Sequence, residues 1–358
     1  MDIKQSQKVL KHLPHIEELI FLYGNDGIIF IDNLFDKLLK KSKDISIKIK
    51  IDGAPSLICG YNKDKFFVAT KSLFNKKPKF NYTPEDIKVN HPDSVELQNK
   101  LFSALKNLSE VIPNNGIFYQ GDLLFTEGDL KTETIEGIEY TTFKPNIITY
   151  ACKKGSLNNF KLGIVFHTSY SGGLNNLQAN YDPDLSVIKN SEEVWVIDNN
   201  LPLIQIDPIS KKNIAEFKIM AERFNVDLSK YDKLTASICQ FLNSRIKSGA
   251  IPNETKMNFY NELIKFGEDQ KNFDKELVLN NKEELLNVFK LYSKIVFVKH
   301  LLIDDMEKSI SENFMKTFTE GKKSEHEGFV VITPEGVVKF VDRSEFSFNN
   351  FNLPKDWE

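Results

Sequence analysis

The sequence predicts an α+β fold, in which a mixed, largely antiparallel sheet domain is interrupted by an all-helical insertion. Three observations predict it. Residues 45–51 read ISIKIKI, a period-two alternation that marks a half-buried strand. From about 210 to 320 the apolar spacing switches to the helical period. Residues 328–342, GFVVITPEGVVKFVD, then return to strand texture as a hairpin around a Pro-Glu-Gly turn. A lone hairpin is marginally stable, so this one is expected to rejoin the first sheet. The resulting organisation assigns 1–207 and 321–358 to the sheet domain and 208–320 to the helical insertion.

The elements follow in order. Residues 1–43 carry helically spaced apolar positions, with Gly24 and Gly27 breaking the run. After ISIKIKI, DGAPS turns, and LICGY and KFFVATKSLF read as strands joined by a hairpin turn at 62–64. Thr83-Pro84-Glu85-Asp86 has the form of a capped helix start. Residues 94–109 are helical in pattern and end before Pro113. Strands are expected at 116–125, 137–144, 146–152 and 161–170, with a further strand-like stretch at 192–198. Helices are expected at 210–223, 233–247, 255–269, 282–299 and 303–318.

Composition narrows the function. Lys and Arg number 47 against 50 Asp and Glu, for a net charge of -3. That balance argues against a wide basic coat for nucleic acid. A local basic groove remains available from Lys48, Lys50, Lys71, Lys76, Lys77 and Lys79. No window is long and apolar enough for a membrane span, and the first residues lack the apolar stretch of a signal peptide. Cys59, Cys152 and Cys239 lie far apart in no metal-binding spacing, as expected of a chain in a reducing, cytoplasmic compartment. The six histidines form no HExxH or similar ligand pair, and Gly321-Lys322-Lys323-Ser324 lacks the leading glycine of a P-loop.

The sharpest local feature is IKIKIDGAPSL. Alternation puts Lys48, Lys50 and Asp52 on one face and Ile47, Ile49 and Ile51 on the other. A lysine at a strand end can face a cleft, and its amine becomes a nucleophile if desolvation or neighbouring cations, for which Lys48, Lys71 and Lys339 are the candidates, lower its pKa. Asp122, just after Gly121 in an apolar strand, is a carboxylate that is costly to bury without a partner. Glu327 before Gly328 is a second such carboxylate, and Lys339 lies inside the returning strand. Lysines with carboxylates that can hold a metal form the kit of phosphoryl chemistry.

On these residues the chain resembles the covalent nucleotidyltransferase superfamily of polynucleotide ligases and capping enzymes, whose signature is K-x-D-G. It looks closest to divergent ligase-like proteins of large tailed bacteriophages. The signature is matched by Lys50-Ile51-Asp52-Gly53, and the resemblance implies that Lys50 is the residue that takes AMP. Thr70-Lys71-Ser72 resembles the second motif, and Gln120-Gly121-Asp122 the third, with Asp for Glu. Ile164-Val165-Phe166-His167 resembles the aromatic strand that stacks on the base; Phe166 is the expected stacking residue, with His167 left open by register. Glu327-Gly328-Phe329-Val330 and Val338-Lys339-Phe340-Val341 resemble the last two motifs. Only one of the two lysines usual in the final motif is present, and Ala54-Pro55-Ser56 stands where an arginine is usual.

The resemblance implies an adenylyltransferase (ATP-grasp-like ligase) fold and an ATP-dependent ligase using Mg²⁺ or Mn²⁺. Lys50, Lys339, Glu327 and Asp122 are its expected catalytic residues. Lys48, Asp52, Gly53, Lys71, Phe166 and Lys339 are expected to contact the nucleotide, and Asp122 and Glu327 the metal. Sixteen residues follow Asp342, too few for the OB-fold that usually closes a DNA ligase. RNA is therefore the expected substrate before DNA, with the helical insertion holding the substrate or a protein partner. The alternatives are a DNA ligase or other adenylyltransferase, and a degenerate ligase fold that binds nucleic acid or protein without catalysis.

Overall fold

The computed structural model describes residues 13–174, 176–202, 204–249, 256–270 and 273–347. The helical expectation for 1–12 and the closing tail lie outside the described residues. Among the described residues the architecture is α+β, with three sheets and a helical block. The strands in chain order are β1 (Ser46–Lys50), β2 (Ser56–Asn62), β3 (Lys65–Ala69), β4 (Phe118–Thr126), β5 (Lys131–Ile135), β6 (Ile138–Phe143) and β7 (Thr149–Lys153). They continue with β8 (Leu162–Ser171), β9 (Gln178–Asn180), β10 (Val194–Val196), β11 (Lys316–Thr319), β12 (Lys322–Ser324), β13 (Gly328–Thr333) and β14 (Gly336–Phe340).

The final hairpin does rejoin the first strand, in the order β1-β13-β14. Its inward face is apolar, with Ile49, Phe329, Val331, Val338 and Phe340 all buried. The second sheet runs β10-β8-β4-β2-β3, with β9 paired to β8, and the third runs β12-β11-β7-β6-β5. The β2–β3 turn uses Lys63 and Asp64 at φ 50° and 62°, the left-handed pair that a tight two-residue hairpin demands.

Helices account for two of the cores. The helix Val95–Leu108 lays Leu101, Ala104 and Leu108 on one face of the second sheet, against Leu57, Tyr119, Leu123 and Phe166. The helical block does not stand apart. Its side chains share one apolar cluster with the N-terminal helix Gly24–Leu39 and with the inner face of β1, β13 and β14. In the helix Lys282–Glu307, Leu285, Val288, Phe289, Tyr292, Ile295, Val296, Leu302 and Ile303 are buried, a stripe at helical spacing.

Several boundaries differ from the sequence expectation. The N-terminal run is interrupted at Gly24, as expected, where one helix ends and a second begins, but Gly27 lies inside that second helix. Gly24 takes φ +57°, and a Cβ on Gly27 would lie 2.2 Å from the Leu19 carbonyl oxygen. The expected helix 303–318 is absent: the long helix runs on to Glu307, and 316–319 is β11, with Thr317 and Phe318 buried against β7. The expected strand 65–74 stops at Ala69. Residues Lys71–Phe74 form a 3-10 turn whose start is capped by Thr70, which accepts the Ser72 N–H. Strands β5, β9 and β12 lie outside the stretches with strand texture in the sequence.

Candidate active site

The site forms where three strand ends meet. Antiparallel pairing sets Lys50 of β1 opposite Gly328 of β13, so Glu327 arrives beside the lysine. The Lys50 ammonium and a Glu327 carboxylate oxygen form a hydrogen-bonded ion pair. Gly328 is needed there. Its φ is +138°, and a Cβ would lie 2.2 Å from the Phe340 carbonyl oxygen. Lys339 sits opposite Val330 on β14, on the same sheet face as Lys48 and Lys50.

The turn after Lys50 docks on β4. The Ala54 N–H donates to the Leu123 carbonyl at 2.9 Å, and Leu123 N–H donates to Pro55 at 3.1 Å. Gly53 allows this contact, since a Cβ would stand 2.9 Å from that of Asp122 and 2.8 Å from the Leu123 oxygen. Asp122 is thereby brought to the turn, opposite Ser56. Its carboxylate lies 3.7 Å from His167 Nε2.

Asp52 is fixed by two residues that the sequence did not single out. Its N–H donates to the Tyr150 hydroxyl at 2.7 Å, and the Asn146 amide donates to its carboxylate at 2.6 Å. The only sequence signal for Tyr150 is a tyrosine within an otherwise apolar strand. Asn146 gives none beyond its place in the loop before that strand.

Electrostatics differ among these groups. Lys50 is shifted opposite to expectation: burial works against its charge, but Glu327, Asp52 and Asp122 outweigh it and hold the amine above its ordinary range. Burial, with repulsion from Glu327, pushes the Asp52 carboxyl up to about 7, against the pull of Lys50 and Asn146. Burial also opposes ionisation of Asp122, but His167, Lys50 and Ser56 prevail and keep it below the usual carboxylate range. Lys339 is lowered to about 8 by burial and by the charge of Lys50, with Lys71 contributing. The site thus holds one firmly protonated amine, one easily deprotonated amine and a carboxyl near neutrality.

The structure brings Lys50, Asp52, Gly53, Asp122, Glu327 and Lys339 together. Lys71 stands at the rim, exposed on its 3-10 turn and within electrostatic reach of Lys339. Lys48 is engaged elsewhere. Its ammonium is held by Asp182 at 2.8 Å and Asn200 at 2.9 Å, beside a cavity of about 640 Å³.

Phe166 does not fit the stacking position expected of it. It is fully buried under the helix Val95–Leu108, with its ring 5.9 Å from that of Tyr119. Val165 pairs with Asp122, so alternation turns Phe166 to the opposite face of β8; beyond it, Gly121 pairs with Phe166 and Gln120 with Thr168, a β-bulge that leaves His167 as the extra residue. His167 lies on the Asp122 side. His326, next to Glu327 in the chain, binds Glu307 through its backbone N–H at 2.9 Å and Nδ1 at 3.1 Å. It ties the start of β13 to the end of the long helix.

Among the described residues, no group of three or more His, Cys, Asp and Glu is placed to hold a metal ion. The hard oxygens of Asp122 and Glu327 suit a divalent cation held mainly by phosphate and water, which needs no all-protein cage. No described helix is long and apolar enough to cross a membrane.

A family model matches residues 10–355, almost the whole chain. The chain belongs to the DUF6267 family. That family is described as one of unknown function. No curated protein and no solved structure matches the chain.

Proposed function

We propose that the chain is an ATP-dependent nucleotidyltransferase that forms lysyl-AMP on Lys50 and uses it to join polynucleotide ends, RNA before DNA. The observation that carries this reading is the convergence of Lys50, Asp52, Asp122, Glu327 and Lys339 at one point from four separated stretches of sequence. A purely structural ion pair at Lys50 needs one carboxylate. Here three surround it, and Lys339 stands by without a carboxylate partner among the described residues.

The Lys50 amine attacks the α-phosphorus of ATP. A P–N bond forms, the bond to the bridging oxygen breaks, and pyrophosphate leaves with the electron pair. The amine must first lose its proton, for which Glu327 and Asp52 are the adjacent acceptors. Lys339, charged below about pH 8, faces the phosphate oxygens as a point charge, with Lys71 at the rim. His167, not Phe166, is the ring available on the site's side of β8. A cation held by Asp122 and Glu327 would neutralise phosphate charge when bound. AMP then passes to a 5′-phosphate end, and a 3′-hydroxyl displaces it. DNA ends, or another acceptor, are the alternative destinations for the same AMP.

A binding module without catalysis is the second reading. The observation that favours it is the pairing of Lys50 with Glu327, which keeps the amine protonated. Intact mass after incubation with ATP and Mg²⁺ separates the two. The expected result is one added AMP on the native chain and none on Lys50→Ala. A folded, AMP-free chain that gains no mass sinks the adenylylation reading.

A further inference from the structure

Between 65 and 84 the chain carries Lys65, Lys71, Lys76, Lys77 and Lys79 and no acidic residue. Lys71, Lys76, Lys77 and Lys79 are all exposed. Several lysines elsewhere on the surface are neutralised at close range. Lys37 meets Asp44 and Glu335, Lys218 meets Asp36, Lys230 meets Glu284, Lys294 meets Glu216, and Lys308 meets Asp207. Among the described residues, no carboxylate pairs with Lys71, Lys76, Lys77 or Lys79. In a chain with more acids than bases, this stretch is an uncompensated positive field.

The stretch is also built firmly. Asn81 is fully buried at its base and is doubly bonded to Val68 through the backbone, with a further bond from its side-chain amide at 2.9 Å. Lys79 donates to the Asn90 carbonyl at 3.2 Å, which holds the stem of the loop while leaving its charge outside. Phe74 is 37% exposed, with its ring 5.1 Å from that of Tyr170. An exposed aromatic ring beside unpaired lysines is the composition that holds single strands, with phosphates on the cations and a base on the ring. Lys71 begins the stretch at the rim of the Lys50 site.

We infer that residues 71–79 form a seat for single-stranded nucleic acid, with Phe74 as its stacking platform and Lys71, Lys76, Lys77 and Lys79 as its phosphate contacts. The inference rests on the proposed ligase reading for the strand's destination at Lys50, but not for the binding itself. A duplex offers no open base to Phe74, so the seat selects an unpaired end.

The test is fluorescence anisotropy of a 5′-phosphorylated, single-stranded oligoribonucleotide with the full chain, without ATP, over a series of salt concentrations. The K76E/K77E/K79E variant is expected to bind roughly tenfold or more weakly. Its log-affinity against log-salt slope should be shallower by about 2, the value for three phosphate contacts on a single strand. Phe74→Ala should weaken binding roughly fivefold or more and leave the slope unchanged. A natively folded triple variant that binds like the parent overturns the inference, as does polyglutamate competing as well as the oligonucleotide. Intact mass of the triple variant with ATP separates the two proposals. An AMP adduct on parent and variant alike, with binding lost only in the variant, supports both. Loop-dependent binding with no adduct on either chain sinks the ligase reading and leaves the seat standing. An adduct with loop-independent binding does the reverse.

Discussion

Lys50 stands directly opposite Gly328 in the β1–β13 ladder, and this register delivers Glu327 to the lysine amine. The glycine is part of the arrangement because its backbone is left-handed and its Cα faces the Phe340 carbonyl. Gly328→Ala forces a Cβ into a 2.2 Å contact with that oxygen and strains the backbone as well. It is expected to destabilise the fold by about 3 kcal/mol, at the upper end of overpacking costs. Urea denaturation measures this; a loss below the scatter of the method would mean that the strand pair yields freely.

Asp52 should make the protein less stable as pH rises. Its folded value of about 7 lies above its ordinary 3.8, so the folded chain binds more protons between those values. The penalty is absent below the lower value, grows with pH and is complete above about 7. Asp52→Asn removes it. The variant is expected to be more stable than the parent at neutral pH, by at most about 4 kcal/mol, with the gap closing toward acid. It should also lose adenylylation. Parallel denaturation curves at acidic and neutral pH check the sign; a gap that widens toward acid would contradict the assignment.

Lys339 should give anion binding a mildly alkaline limit. The amine is charged below about pH 8 and neutral above it, because burial and Lys50 disfavour its proton. Pyrophosphate affinity is therefore expected to fall as pH rises through that value. Lys339→Met should bind weakly throughout and lose that step. Calorimetric titration with pyrophosphate over the range reads both. Retention of the step in the variant would assign it to another group.

Phe166 and His167 are neighbours with opposite duties. Phe166 is fully buried against Tyr119, so Phe166→Ala should cost about 3–5 kcal/mol of stability. His167 is half-exposed beside Asp122, so His167→Ala should leave stability nearly unchanged and weaken ATP binding. Denaturation and nucleotide titration of the two variants together decide the matter. Normal ATP binding by folded His167→Ala would remove the ring from the site.

The sequence was most informative where local pattern and backbone geometry agree. Alternation in ISIKIKI placed Lys48 and Lys50 on the face opposite Ile47 and Ile49, and the final hairpin rejoined β1 as its instability alone suggested. Glycines beside Asp52, Asp122 and Glu327 marked close approaches that the fold does contain. The features without a local signal depend on tertiary geometry. Which of Phe166 and His167 faces the site follows from the pairing of Val165 with Asp122, a register between distant strands that alternation along one strand does not set. Lys48 shares the face of Lys50, but Asp182 and Asn200 capture it from a loop more than a hundred residues away. Asn146 and Tyr150 act on Asp52 across a similar separation. The strand at 316–319 was hidden because its few residues follow a long helix and continue its apolar spacing.

The helical block meets the sheet domain through charge as well as apolar surface, and this contact is open to a direct test. Lys299 of the long helix donates to Glu17 at 2.8 Å, and both residues are 1% exposed. Nearby, Arg343, three residues past β14, donates to Glu18 at 2.9 Å and to Asn243 of the helix Thr235–Lys247. One Glu17 oxygen and the Arg343 Nε have no hydrogen-bond partner. Taking either Glu17 or Lys299 away strands a buried charge, so Glu17→Gln and Lys299→Met should each cost about 3–5 kcal/mol. The E17L/K299M pair removes both charges and keeps apolar bulk. It is expected to be close to neutral or more stable, because the desolvation cost disappears with the attraction. Denaturation of the two singles and the double forms a mutant cycle. A double variant as unstable as the sum of the singles would show that the pair is not coupled.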